Sequence, residues 1–244
     1  MRFVVLAAGV GSRLRPLTDD RPKCMVEVNG RSIIDRLLIQ AEKTGRFQEA
    51  VVVTGYLPEQ MEQFVNLWEG KHQLPVRIVH NAQYETTNNG YSLWCARQWL
   101  TDGFVLCDGD VVVDDIVIER IANTDQSALA IDAASRLDEE AMKFQLDASR
   151  RIVALAKTIS VANGEGESIG LCHIRGEDAT SVVEQLDKLV REGELQEYYE
   201  RAFQELIREQ GDLYVVDVGD CRWVEIDNHA DLQKAKDTFA TEGS

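Results

Sequence analysis

The chain is poor in the features that mark several protein classes. It has only 4 prolines in 244 residues, and no Pro-, Gly- or Ser-rich tract divides it, which argues against linkers and disorder. No apolar run approaches the roughly 20 residues that a helix needs to cross a bilayer, so no membrane partner is expected. The five cysteines are odd in number and lack paired or metal-ligand spacing, which argues against a disulfide framework and suits a reducing compartment. Basic residues are scarce. Against 42 Asp and Glu stand 26 Lys and Arg, a formal net charge of −16, and a nucleic-acid backbone demands a concentrated basic surface. No nucleic acid is expected as partner, and most of the acidity reads as solvated surface. The N-terminus runs directly into an apolar strand, so no signal peptide is expected and the cytoplasm is the expected location. What is present suffices for a core: 44% of residues are hydrophobic, in a chain of a length at which α/β domains are commonly single.

The most informative stretch is the start. Phe3-Val4-Val5-Leu6 reads as a central parallel strand, buried on both faces. It leads into Ala7-Ala8-Gly9-Val10-Gly11-Ser12-Arg13-Leu14-Arg15-Pro16-Leu17-Thr18, and Pro22-Lys23 follow shortly after. Small residues at a strand end let backbone N–H groups surround phosphate oxygens. Arg13 is a rigid fork and Lys23 a mobile point charge, a combination suited to a polyphosphate. Other glycine-rich motifs fit badly. A P-loop requires Lys directly after its last Gly, whereas Gly11 precedes Ser12-Arg13. A dinucleotide fold requires a third Gly near Leu14 and an acid closing the second strand, which ends instead in Thr54-Gly55. A bare Gly-x-Gly also fits a tight strand-to-helix turn with solvated charges.

Further along, apolar strands alternate with amphipathic helices, the pattern of a mainly parallel sheet with helices on both faces. Ser32 caps a helix carrying Ile33, Ile34, Leu37, Leu38 and Ala41 inward, with Gly45 near its end. The strand Ala50 to Thr54 follows. Pro58 opens a helix burying Met61, Phe64, Val65 and Trp68. Val76 to His80 is a strand, Ser92 to Leu100 a helix, and Phe104 to Cys107 a strand ending at Asp108-Gly109-Asp110. The second half differs. Lys143 to Asp147 and Arg151 to Ala156 form an antiparallel hairpin, which makes the sheet mixed. Ser168 to Ile174 is a strand, Asp178 to Arg191 and Gln196 to Glu209 are helices, and Tyr214 to Val218 and Arg222 to Ile226 close the sheet. Asn228 caps the last helix, with Asp231 three residues on and Leu232, Ala235 and Phe239 facing in. Ligands in such sheets sit at carboxyl ends of strands. The glycine loop, Gly55-Tyr56, Asp108-Gly109-Asp110 and Asp227 gather there, and two carboxylates on separate strand ends suit one Mg²⁺.

The run Leu-Ala-Ala-Gly-x-Gly-Ser-Arg-Leu-x-Pro-Leu-Thr, completed by Pro-Lys, resembles the signature of the nucleotidyltransferases that make activated sugars and alcohols. It matches from Leu6 to Lys23 without a gap. Similarity to the bacterial choline-phosphate and phosphonate cytidylyltransferase branch continues through Gly55 to Gln60, Asn88 to Leu93, Asp108-Gly109-Asp110 and Glu225-Ile226-Asp227. The resemblance implies a Rossmann-like fold of the nucleotide-diphospho-sugar transferase type in one domain, 1–244. Its nucleotide half would span about 1–125 and its acceptor half about 126–244. Arg13, Lys23, Asp110 and Asp227 would be catalytic, Asp110 and Asp227 the Mg²⁺ ligands, and Asp108 a support for them. Leu6, Ala7, Ala8 and Gly9 would hold base and ribose, and Gly11, Ser12 and Arg13 the outer phosphates. Lys23 would offset charge growing on the α-phosphate. Gly55, Tyr56, Asn88, Gly90 and Ser92 would complete the nucleotide site.

The implied reaction is attack of an acceptor phosphate or phosphonate oxygen on the α-phosphorus of CTP, releasing pyrophosphate. Such an oxygen is ionised at neutral pH, so no general base is needed, which fits the lack of any recognisable nucleophile triad. On the acceptor side stand Tyr91, Glu140, Lys143, Lys157 and Gly170. Lys157 falls where sugar-type members carry a phosphate-binding Lys, Gly170 where they carry a close-approach Gly, and Lys143 also reads as a solvated strand-end Lys. A cation at Lys143 speaks against phosphocholine. Glu139, Glu140, Tyr84, Tyr198 and Tyr199 fit an amine such as aminoethylphosphonate, and a polyol phosphate fits almost as well. Tyr56, Tyr91 and Trp94 are alternatively core aromatics. A uridylyl- or thymidylyltransferase acting on a sugar 1-phosphate, or a catalytically silent nucleotide-binding relative, is the alternative function. A homo-oligomer is compatible with the chain.

Overall fold

A computed structural model describes residues 1–209 and 211–240. Residue 210 and residues 241–244, part of the expected acceptor half, lie outside the described residues. In chain order the elements begin with β1 (Arg2–Ala7), the short hairpin β2 (Glu27–Val28) and β3 (Arg31–Ser32), α1 (Ile33–Thr44), β4 (Ala50–Thr54), α2 (Pro58–Glu69), β5 (Val76–His80) and α3 (Asn89–Cys95). Then come β6 (Phe104–Asp108), β7 (Val111–Val113), α4 (Asp115–Ala122), β8 (Ala128–Asp132), β9 (Lys143–Leu146), β10 (Ile152–Ala156) and β11 (Glu167–Ile174). The chain closes with α5 (Gly176–Glu192), α6 (Glu200–Arg208), β12 (Tyr214–Asp217), β13 (Trp223–Glu225) and α7 (His229–Thr238).

The apolar run at the start lies in the middle of the sheet. β1 is flanked by β4 and β6, both parallel to it, with Val4 opposite Val51 on one side and Leu106 on the other. Its alternate side chains enter different cores. Phe3 and Val5 pack with residues of α1, α2, α4 and α7, and Val4 and Leu6 with residues of α3, α5 and α6. Each such buried side chain contributes roughly 1.5–3 kcal/mol. Helices therefore cover both faces of a mixed sheet with strand order β10-β9-β11-β6-β1-β4-β5, to which β8 and β12 attach beside β11. β6-β1-β4-β5 is a parallel block, β11 runs antiparallel to β6, β8 and β9, and β12 pairs parallel with β8.

Local signals act as read. Ser32 Oγ accepts from the Asp35 N–H, and Gly45 ends α1 at a φ of 63°. Asn228 and Asp231 form a reciprocal cap on α7, and β9 and β10 are the expected hairpin. Elsewhere the boundaries move for local reasons. α3 starts at Asn89, because the Asn88 side chain accepts from the Asn89 N–H, and it gives way to a 3₁₀ turn at Arg97–Trp99. α6 starts at Glu200 instead of Gln196, since Tyr199 donates its backbone N–H to Asn89 Oδ1 at 3.0 Å. β13 joins β7 in a separate two-stranded antiparallel ribbon, Trp223 opposite Val113 and Glu225 opposite Val111. That ribbon decides the site, because Asp110 precedes one strand and Asp227 follows the other.

Candidate active site

The loop after β1 is built to hold Lys23. Gly11 adopts a φ of 66°, and a Cβ there would stand 2.9 Å from Lys23 Cβ, so only glycine lets the lysine stem pass. Thr18 Oγ1 donates to the Gly11 carbonyl at 2.9 Å and fixes the loop. Lys23 emerges from a 3₁₀ turn after Pro22, and its Nζ donates to Asp110 Oδ2 at 2.6 Å and to Asp227 Oδ1 at 2.7 Å. Arg13, from the preceding 3₁₀ turn, reaches Asp227 Oδ2 at 2.8 Å.

Asp110 is placed from below. The Gly109 N–H donates to the Leu6 carbonyl at 2.9 Å, and the Ile226 N–H donates to the Asp110 carbonyl at 2.9 Å, which ties the two acidic strand ends together. The Asp227 N–H donates to Asp231 Oδ2 at 3.0 Å. Burial would lower the Lys23 pKa, but Asp110 and Asp227 raise it above the usual lysine range. For Asp227 burial is outweighed by hydrogen bonding to Lys23 and by the charges of Lys23 and Arg13, which hold its carboxyl below the usual range.

Glu225 is a third carboxylate here. Oxygens of Asp110, Glu225 and Asp227 lie within 4.8 Å of one another. Although Glu225 reaches the solvent of the cleft, enclosure and then the charges of Asp110 and Asp227 push it up to about 7. Asp110 Oδ1 is buried with no hydrogen-bond partner. An orphaned carboxylate oxygen among hard oxygen donors fits a divalent cation such as Mg²⁺, which takes few protein ligands and completes its shell with water and phosphate oxygens.

The cleft over this junction measures about 310 Å³. The structure brings Leu6, Ala8, Gly9, Arg13, Asn88, Ser92, Asp108, Asp110, Lys157 and Asp227 to its walls, all named from sequence. Tyr84 and Tyr198, expected at the acceptor's amine, and Glu225 join them. Asp108 accepts from Tyr199 Oη at 3.1 Å, and enclosure followed by the charge of Asp110 pushes its carboxyl well above the usual range.

Other expected residues stand behind or beside the walls. Ala7 is a buried strand residue, and Ser12 opens the turn that carries Arg13. Gly55 permits close packing, since a Cβ would stand 2.5 Å from Tyr84 Cβ. Tyr56 donates its hydroxyl to the Asp19 carbonyl at 3.3 Å. Gly90 packs on the 197–199 backbone, 2.6 Å from a Cβ to the Glu197 oxygen. Tyr91 is turned away: its hydroxyl accepts from Gln83 Nε2 at 2.7 Å and its ring lies 5.1 Å from that of Trp94.

On the acceptor side Glu140, Lys157 and Gly170 line a smaller annex that continues the cleft. Lys157 Nζ lies 3.7 Å from Glu140 and 5.0 Å from the Tyr198 ring centroid. Gly170 has a φ of 73°, and a Cβ would stand 2.6 Å from Asp108 Oδ2. Lys143 requires correction, both as an acceptor ligand and as a solvated lysine. It is fully buried, and its Nζ donates to the carbonyls of Asp138 and Ala141 at 2.8 and 2.9 Å, with Glu139 at 3.4 Å. Its ammonium is spent holding the 138–141 turn that presents Glu140. Glu167, Glu200 and Glu225 were missed. The signature Glu225-Ile226-Asp227 pointed toward Glu225, whereas nothing local marks the other two.

Residues 3–177 match the family model described as a MobA-like NTP transferase domain. The chain belongs to that nucleotidyltransferase family. It is similar to the CTP:phosphoglutamine cytidylyltransferase of Campylobacter jejuni, 28% identical over 96% of this chain and 98% of that one. It is also 36% identical to the 2-aminoethylphosphonate cytidylyltransferase of Lancefieldella rimae, over 46% of this chain and 44% of the relative. The solved CTP:phosphocholine cytidylyltransferase of Streptococcus pneumoniae superposes with a TM-score of 0.80 over 97% of each chain at 23% identity, a likeness of fold. The expected mixed, mainly parallel α/β architecture and the nucleotidyltransferase activity class both hold. No helix among the described residues is long and apolar enough to cross a membrane.

Proposed function

We propose that this enzyme transfers the cytidylyl group of CTP to a small phosphate- or phosphonate-bearing acceptor and releases pyrophosphate. The observation that carries the reading is the junction of Lys23 and Arg13 with Asp110 and Asp227, facing Lys157 across one cleft. Cations thus stand on both sides of the place where two phosphates must meet. CTP as donor is supported by the relatives named above, which are cytidylyltransferases by name.

The acceptor oxygen, ionised at neutral pH, forms a bond to the α-phosphorus. The bond from that phosphorus to the bridging β-phosphate oxygen breaks, and pyrophosphate leaves with the electron pair. The protein's work is positioning and charge neutralisation. Backbone at Ala8 and Gly9 lies against the nucleotide, Arg13 and Lys23 exchange carboxylates for phosphate oxygens, and Lys157 holds the acceptor phosphate in line. Asp110 and Asp227, with Glu225 beside them, would hold Mg²⁺, which when bound neutralises charge on the transferring phosphate.

The test is pyrophosphate release with Mg²⁺, pairing CTP, UTP, dTTP, ATP and GTP with phosphoethanolamine, phosphocholine, 2-aminoethylphosphonate, glycerol phosphate, inositol phosphate and glucose 1-phosphate. Turnover confined to CTP and a non-sugar acceptor supports the reading. Release with UTP or dTTP and glucose 1-phosphate moves the enzyme to the sugar-activating branch.

A further inference from the structure

Past Lys157 the cleft opens into an annex of about 100 Å³ between β11, the 138–142 turn and the start of α6. Its charged lining is one-sided. Asp108, Glu140, Glu167, Glu200 and Glu225 face it, and Lys157 is the one cation among the described residues that do. A site whose only task were to bind a dianionic phosphate would not surround it with five carboxylates.

Glu200 makes the point specific. It is only 6% exposed, lines the annex, and its Oε2 has no hydrogen-bond partner. Leaving a buried carboxylate oxygen unpaired is costly, and a place in the first turn of α6 explains an acid there but not an orphaned oxygen at a cavity wall. The neighbouring acids are differently committed. Glu167 accepts from Ser135 Oγ at 2.6 Å, Asp108 from Tyr199, and Glu140 faces Lys157.

We propose that the annex receives the primary ammonium of the acceptor, with Glu200 Oε2 accepting its hydrogen bond, so that the acceptor is a short aminoalkyl phosphate or phosphonate. The inference rests on the transferase reading. Lys157 lines both cleft and annex and marks where the acceptor's phosphate ends and its tail begins. Beyond Lys157 a carboxylate-bearing tail would find acids and no second cation among the described lining residues, and a neutral polyol, though its hydroxyl can donate to Oε2, would bring no positive charge to offset Glu200. A trimethylammonium has no N–H for Glu200 and is best held by aromatic faces. Tyr198 is the only aromatic among the described residues of the annex, and Lys157 already lies over its ring.

The experiment measures kcat/KM for CTP-dependent pyrophosphate release with phosphoethanolamine, 2-aminoethylphosphonate, ethyl phosphate, phosphocholine and phosphoserine. Wild type and E200Q are compared, each checked for folding by thermal melting. The expected result is a preference of about tenfold or more for an aminated acceptor over ethyl phosphate, phosphocholine and phosphoserine. In E200Q that preference collapses through a higher KM for the amine. The wild-type ranking decides even if E200Q fails to fold. Equal or better use of ethyl phosphate, phosphocholine or phosphoserine overturns the inference alone, as does a folded E200Q that keeps the preference. No release with any acceptor overturns the transferase reading and the inference together.

Discussion

Gly109 sets the position of Asp110, and substituting alanine there tests the geometry of the junction. A Cβ at 109 would lie 2.6 Å from the Leu6 carbonyl oxygen and 3.3 Å from Ala7 Cα and Cβ. Those atoms belong to the central strand of the sheet and no flexible side chain can yield. Ordinary contact begins at 3.4 Å, so the 108–110 segment must retreat by about 0.8 Å. It would stretch the Gly109 N–H to Leu6 hydrogen bond and draw Asp110 away from Lys23. Overpacking of this kind costs about 1–3 kcal/mol, which for a chain of this size lowers Tm by about 2–12 °C. The catalytic loss is larger in relative terms, because misplacement by about 1 Å costs on the order of 100-fold in rate. Pyrophosphate-release kinetics and thermal melting of G109A measure both. Melting within 2 °C of wild type and kcat/KM within about threefold would refute the claim that the Leu6–Gly109 contact fixes the carboxylate.

Two further outcomes follow from buried charges. K143M removes the donor that satisfies the 138–141 carbonyls, so it should lose about 2 kcal/mol, read by urea unfolding. Its acceptor KM rises only through a loosened turn; unchanged stability would return Lys143 to the surface. Glu200 gives a pH signature: burial, only partly offset by its own backbone N–H, the charge of Lys157 and the Tyr199 hydroxyl, pushes its carboxyl up to about 7, against about 4.3 in the unfolded chain. Below both values neither state is charged. Between them the unfolded chain ionises while the folded one keeps its proton, so stability falls as pH rises and the full penalty stands above about 7. The fall in unfolding free energy from pH 4.5 to pH 8 should therefore be smaller in E200Q than in wild type, and an equal fall in both would show Glu200 to be ionised in the folded protein.

The legible parts of the sequence were those where one local rule dominates. The apolar run Phe3–Leu6, short and ending at small residues and glycine, reads as a strand buried on both faces, the Asn228–Asp231 pair can cap a helix unaided, and the residues from Leu6 to Lys23 carry a signature long enough to place Arg13 and Lys23. β7 and α4 are harder to read, because Val111–Val113 is too short for a period to show and only Asp114 separates it from Asp115–Ala122, whose Val117, Ile118, Ile121 and Ala122 share one helical face over barely two turns. Sequence does not reveal the burial of Lys143, and a lysine a turn away from Glu139 and Glu140 looks solvated. Glu200 was hidden by an ordinary role, an acid at a helix start. Its proposed role depends on Lys157, more than forty residues earlier in the chain, lining the same annex.

The central claim is that the α-phosphorus of CTP is transferred where Lys23, Asp110 and Asp227 meet. ³¹P NMR of CTP, Mg²⁺ and 2-aminoethylphosphonate with wild-type enzyme, and in parallel with folded D110A, tests it most directly. The account predicts loss of the triphosphate signals with matching growth of pyrophosphate and of a CMP-phosphonate adduct in wild type, and neither in D110A on the same timescale. CTP that stays intact with the wild-type enzyme, or D110A that forms the adduct at the wild-type rate, would contradict it.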